Sequence, residues 1–274
     1  MKNYFAILAV VVFGCLFMTS CDKSSQDAIN LTTNQPQLLN EHHSFNCQFL
    51  PAAEYAKISE AKTSKFDLTK VIVNLKVPPI GDQGMGSSVA WGTTYEGRSI
   101  DWQANHPASW SPKVNIFSPD YTVKLNGCTN PLYVTTALNL LISQGACVIA
   151  LVTNPDCAVP PTAIQIANAA QHRINGYNTV PRTTAAIKSI IASGRPVIVA
   201  GPVNNAFLYY TSGVLSTFSG SSLGGHCYCI VGYDDTKGAF KFMNSWGTTW
   251  GISGFGYIAY GYETTWWQEA YVII

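Results

Sequence analysis

Apolar and polar positions divide the chain into three regimes. Residues 4–18, "YFAILAVVVFGCLFM", are almost continuously apolar. Residues 22–66 are rich in Asn, Gln, Ser, Thr and Lys and carry no strong period, apart from "AAEYAKISEAK" at 52–62, which predicts one short helix. From Asp67 onward the periods become regular. "YVTTALNLLISQG" places Val134, Ala137, Leu138 and Leu141 at helical spacing and stops at Gly145, a residue suited to a left-handed helix end. "TTAAIKSIIASG" repeats the pattern, with Thr183 or Thr184 as its cap and Gly194 as its stop. After Arg195 the pattern changes to strands: "RPVIVAGPV", "HCYCIVGYDD", "AFKFMNSW" and "GFGYIAY". The "DDTKG" between the second and third predicts a hairpin. Helices first and strands later point to an α+β protein, a helical lobe packed on an antiparallel sheet lobe.

These boundaries give three parts. Residues 1–20 read as a secretory signal, with Lys2 ahead of an apolar stretch shorter than the ~20 residues a membrane-spanning helix needs. "FMTSC" resembles the bacterial lipobox, which would make Cys21 the lipidated first residue of a protein anchored in the cell envelope, at the outer membrane or in the periplasm. Plain secretion is the alternative. Residues 21–66 read as a polar tether and 67–274 as the folded domain.

Composition supports a large core: of 274 residues, 47% are hydrophobic and only 11% charged. Losing residues 1–20 would remove Lys2 and leave 15 basic against 15 acidic residues. With no basic run, nucleic acid is not an expected partner. Setting aside Cys15 and Cys21 leaves six cysteines, which can form disulfides outside the cytoplasm. "CVIALVTNPDC" suggests Cys147 with Cys157 as the first pair. The cysteines lack the spacing of a metal site, and His42 and His43 have no ligand cluster beside them, so neither metal nor cofactor is expected.

"GSSLG" at 220–224 matches G-x-S-x-G, but a nucleophile elbow needs a strand before it and a helix after it. Here a Ser- and Gly-rich loop precedes a strand, so Ser222 is read as a loop residue.

Three separated stretches are more informative: "DQGMGSSVAWG" at 82–92, "GGHCYCIVGYDD" at 224–235 and "FMNSWGTTWGISGFGYIAY" at 242–260. Together they resemble the papain-like cysteine peptidases, in which a Gln, a Gly-Ser-Cys turn before a helix, a His and an Asn-Ser-Trp-Gly occur in this order. The resemblance spans about residues 68–274 and implies a two-lobed α+β fold with a peptide-binding cleft between the lobes. It implies His226 as general base and acid, Asn244 as the group that orients it, and Gln83 as an oxyanion-hole donor. Trp246 and Trp250 would shield the His–Asn pair, and Cys227 would help line an apolar specificity pocket. His42, His43, His106 and His172 stand in no motif of this kind and read as ordinary residues.

The chain departs from the pattern twice. Only Met85 stands between Gln83-Gly84 and Gly86-Ser87, where the family usually has two residues. The nucleophile position falls on Ser88 if aligned on "GSSVAW", or on Val89 if aligned on Gln83, and no cysteine occurs between residues 48 and 127. A serine cannot be pre-ionised as a cysteine can, so the resemblance implies lost or severely reduced peptidase activity, with a Ser88-His226-Asn244 hydrolase as the alternative. Cys227 and Cys229 do not substitute, because Cys227 points to the strand face opposite His226 and Cys229 lies further along. Both read as buried structural thiols.

Overall fold

The computed structural model describes residues 43–62, 69–129 and 132–274. The signal segment, Cys21 and His42 lie outside them. Chain order runs through β1 (Cys47–Gln48), α1 (Ala52–Tyr55), β2 (Ile72–Asn74) and a long helix, α2, assembled from Ser88–Ala90, Trp91–Arg98 and Ser99–Asn105. Then come α3 (Pro119–Leu125), β3 (Leu132–Tyr133), α4 (Val134–Ser143), α5 (Ala163–Ala170), β4 (Tyr177–Thr179) and α6 (Thr184–Ala192). The sheet half follows: β5 (Val197–Val203), α7 (Asn205–Leu208), β6 (Gly224–Asp234), β7 (Ala239–Met243), β8 (Phe255–Ala259), α8 (Glu263–Trp266) and β9 (Glu269–Ile273).

The two helices marked by their apolar period form where expected. Gly145 and Gly194 follow them at φ 83° and 88°, a left-handed conformation that a Cβ would strain. Thr183 caps α6, its hydroxyl accepting from the Ala186 N–H at 3.3 Å. The expected hairpin is present too, with Asp234 paired to Ala239 at the tip of β6 and β7.

Strands β4-β9-β5-β6-β7-β8 form one sheet, with β2 paired to β6. Every pair in this sheet is antiparallel. Because successive side chains on a strand face opposite ways, β6 contributes to two cores. Tyr228 and Ile230 join Ile187, Ile190, Phe207 and Trp266 on one face. Cys227, Cys229 and Val231 join Val89, Tyr95, Leu138 and Leu141, from α2 and α4, on the other. The opposite-face placement of Cys227 follows directly from this alternation.

Two expectations are corrected. Residues 43–62 are not a tether: they pack on the folded unit, with β1 parallel to β3, the Leu50 N–H donating to Glu269, and Ala61 buried. Their polar composition hid these contacts because much of the docking uses backbone groups. The disulfide is also different, joining Cys128 to Cys157 with Cα atoms 5.8 Å apart. Cys147 is a free thiol buried with Tyr121, Val152 and Ala169, and its carbonyl accepts the Ser118 N–H, while Cys157 sits in an exposed loop. Closeness in sequence misled here, since core packing draws Cys147 inward and leaves Cys157 for the turn after α3. Peptide mapping without reduction is expected to recover Cys128 linked to Cys157 with Cys147 alkylatable after unfolding; a linked Cys147 would refute the assignment. Removing the Cys128–Cys157 bridge should cost about 3–4 kcal/mol by the loop-entropy relation.

Candidate active site

Ser88 begins α2. Ser87 before it is the cap, its hydroxyl accepting from the Ala90 N–H at 3.4 Å. Val89 packs in the helical core, and Ser88 is equally buried, with its hydroxyl lacking a hydrogen-bond partner. The helix then widens to π-type turns over Trp91–Arg98, a form often found near functional sites. It lies close on β6, since a Cβ added at Gly92 would come 2.7 Å from the Cys227 sulfur.

His226 lies near the start of β6 and Asn244 just beyond β7, and the hairpin brings them together. The His226 Nε2–H donates to Asn244 Oδ1 at 2.8 Å, and that same oxygen accepts the Ser245 N–H at 2.9 Å. This fixes the neutral tautomer with a bare lone pair on Nδ1. Trp246 packs at 4.8 Å from the His226 ring, and Trp250 lies edge-on to Trp246 at 5.5 Å. Gln83 is held from two sides: its N–H donates to the Ser245 carbonyl at 2.8 Å and its Oε1 accepts from the Ser245 hydroxyl at 2.7 Å. Its Nε2 donates to the carbonyls of Gly86 at 3.3 Å and Ser44 at 3.4 Å. The short Gly84-Met85 turn therefore folds Gln83 back onto its own loop.

Ser88 Oγ and His226 Nδ1 are both buried and neither has a hydrogen-bond partner. The nucleophile position and the base are thus not coupled in this state. Burial, the largest influence, pushes the His226 pKa down to about 4; the Asn244 hydrogen bond opposes it and nearby His43 adds to it. The unfolded histidine, at its ordinary 6.5, binds a proton through a window in which the folded one refuses it. Stability from His226 is therefore complete above pH 6.5 and is lost as pH falls toward 4. The full loss is about 3 kcal/mol. A pH titration by NMR should find His226 still neutral at pH 5.5, and a midpoint at or above 6 would contradict the burial described. Glu96, fully buried on α2, has its pKa pushed up by desolvation and accepts the Cys229 N–H at 2.8 Å. It lies with α2 on the Cys227 and Cys229 face of the sheet, opposite His226, and supplies no carboxylate behind the imidazole.

Sequence reasoning missed what covers the site. The chain's own residues 43–50 cross it. The Ser44 hydroxyl donates to the Gly86 carbonyl at 2.7 Å, the Gly225 N–H donates to the Phe45 carbonyl at 3.2 Å, and Asn46 bridges to Gly225. His43, expected to be an ordinary residue, stacks on Trp246 at 4.8 Å and 10°, with Phe45 edge-on to the same ring. Gly225 is required for this approach, because a Cβ there would collide with the Cys47 carbonyl oxygen. Ser88, His226 and Asn244 are 0% exposed. The one sequence signal was the "GGH" itself, a backbone stripped of side chains where another chain segment approaches.

The remaining candidates stay apart. His106 stacks on Trp102, and His172 packs against Trp102 and Phe117. Ser222 is exposed and exchanges hydrogen bonds with Gly224 in a local turn. Among the described residues, no cluster of His, Cys, Asp and Glu could hold a metal, and no helix is long and apolar enough to cross a membrane.

Comparison with known proteins places the family and the fold. The family described as papain family cysteine protease matches residues 63–273. A gut-specific cysteine proteinase of Caenorhabditis elegans is 40% identical over 78 residues, covering 28% of this chain and 24% of that protein. The chain thus aligns with about a quarter of that relative's length. Among solved structures, xylellain, a cysteine protease from Xylella fastidiosa, superposes with a TM-score of 0.68 at 21% identity, covering 85% of this chain and 96% of that one. Digestive procathepsin L 3 of Tenebrio molitor larval midgut gives 0.65 at 17% identity, covering 90% and 87%. The fold is that of papain-like proteases.

Proposed function

Since the chain belongs to the papain family of cysteine proteases, we propose that it is a member whose peptidase chemistry is lost or severely reduced because Ser88 occupies the nucleophile position. The observation that carries this reading is the pairing of a buried, uncoupled Ser88 Oγ with a neutral His226 backed only by the neutral amide of Asn244. A serine must hand its proton to the histidine during attack, and the resulting imidazolium needs stabilisation. In a Ser-His-Asp triad, replacing the carboxylate behind the histidine by an amide costs about 10⁴ in turnover. The cleft, once residues 43–50 leave it, remains suited to an extended peptide, because Gly225 already offers its backbone to the Phe45 carbonyl. The apolar segment before Cys21 supports a lipid-anchored place in the cell envelope, outside the cytoplasm.

One observation favours a second reading, a Ser88-His226-Asn244 hydrolase: the bare Nδ1 of His226 is the atom a base needs. Assaying the wild type and Ser88→Ala on a peptide library, each after residues 43–50 have been cut free, separates the two. Equal, background turnover is expected from both; wild-type turnover abolished by Ser88→Ala would establish the hydrolase.

A further inference from the structure

A second recessed site lies at the end of α2 remote from Ser88. It is a pocket of about 400 Å³ whose lining includes Arg98, Trp102, Asn105, His106, Arg173 and Arg195. The chain contains only four arginines, and three of them converge here. In a protein with 11% charged residues, such a convergence is not a generic solvated face.

Three guanidinium groups meet one side-chain carboxylate in the lining, that of Asp101. Arg98 is taken up by Asp101, Nη1 to Oδ2 at 2.5 Å, with both side chains nearly buried. It also donates to the carbonyls of His172 at 3.2 Å and Arg173 at 3.1 Å, so it forms the fixed floor of the site. Its guanidinium stacks over Trp102 at 4.9 Å from the ring centre. Arg195 donates to the Ile273 carbonyl at 3.3 Å and the Ser193 hydroxyl at 3.4 Å, which hold its fork in place; the Asp101 carboxylate feels its charge across the pocket but makes its ion pair with Arg98. Arg173 is exposed and stands at the rim. None of the salt bridges among the described residues uses Arg173 or Arg195. Asn105 adds a neutral amide, and the ring of Trp102 gives one apolar wall.

Arginine forks match the paired oxygens of carboxylate and phosphate groups, and their charge persists at every physiological pH. We propose that this pocket binds a small anionic ligand through a carboxylate or phosphate group held between Arg173 and Arg195, with Arg98 as the supporting base of the site. It is separate from the cleft, so its ligand is not the peptide considered above, and the inference does not depend on whether Ser88 is active.

Isothermal titration of the purified protein at low ionic strength, with inorganic phosphate in one arm and citrate in the other, tests this directly against chloride-matched buffer. The expected result is saturable one-site binding with Kd below about 1 mM in at least one arm. The arm that binds identifies whether phosphate or carboxylate oxygens are read. Arg173→Ala and Arg195→Gln should each weaken binding about tenfold, the loss of one charge-assisted contact. Arg173 is exposed and takes part in no salt bridge among the described residues, so its variant should fold, with unchanged circular dichroism as the check. No saturation up to about 20-fold above that Kd in either arm, or equal affinity in the wild type and both variants, would overturn the assignment.

Discussion

Ser88→Cys is expected to raise peptidase kcat/KM by about three or more orders of magnitude once residues 43–50 are released from the cleft. Release can be achieved with a protease site engineered into the exposed stretch Pro51–Glu54. The size follows from acidity. A thiol starts near pKa 8.5, and a helix N-terminus together with an imidazole lowers it into the range where the thiolate exists before substrate arrives. A hydroxyl at the same place has no such option. The new negative charge should also raise the His226 pKa from its depressed value of about 4, because an opposite charge nearby favours imidazolium. Two independent readouts, turnover and the His226 titration, must therefore move together. If the cut Ser88→Cys protein stays silent while its His226 titration does rise, the obstacle is the short turn at Gly84-Met85, which commits the Gln83 amide to Gly86 rather than to a developing oxyanion. If neither moves, the helix start does not place residue 88 against His226.

Phe207→Ala should lower unfolding free energy by about 3–5 kcal/mol, the range for truncating a buried aromatic. Phe207 has no exposed surface and its ring centre lies 5.3 Å from Trp246, 5.2 Å from Trp250, 5.4 Å from Tyr228 and 5.5 Å from Phe242. It also stands edge-on to His226 at 5.7 Å. The cavity would thus open beneath the base, with rings too large and too mutually constrained to collapse into it. Urea unfolding of the variant measures the cost, and a loss under about 1 kcal/mol would show that the cluster repacks. Because Phe207 sits on the short helix α7, capped by Asn204 whose side chain accepts the Phe207 N–H at 3.1 Å, the variant keeps its backbone support and reports mainly on packing.

What could be read from the sequence was what local pattern encodes. The apolar period and the stop glycines placed α4 and α6, the turn at 234–238 placed the β6–β7 hairpin, and that hairpin placed His226 beside Asn244. What could not be read was long-range and borne by backbone. Residues 43–50 dock on the folded unit through the Phe45 carbonyl, the Leu50 N–H and the Ser44 hydroxyl, groups that leave no hydrophobic period. The arginine pocket was hidden for a similar reason, since Arg98, Arg173 and Arg195 lie on separate stretches that only the fold brings together. The disulfide failed because the nearer pair in sequence, Cys147 and Cys157, is separated by the demand of the core for Cys147.

Position 88, rather than the scaffold around it, is proposed to set the limit on chemistry. Intact-protein mass spectrometry after exposure of the cut wild type, Ser88→Cys and His226→Ala proteins to an activated peptide ester tests this most directly. An acyl adduct is expected on the introduced thiol of the Ser88→Cys protein and none on Ser88 of the wild type under the same conditions. An adduct on wild-type Ser88 that disappears in His226→Ala would contradict it.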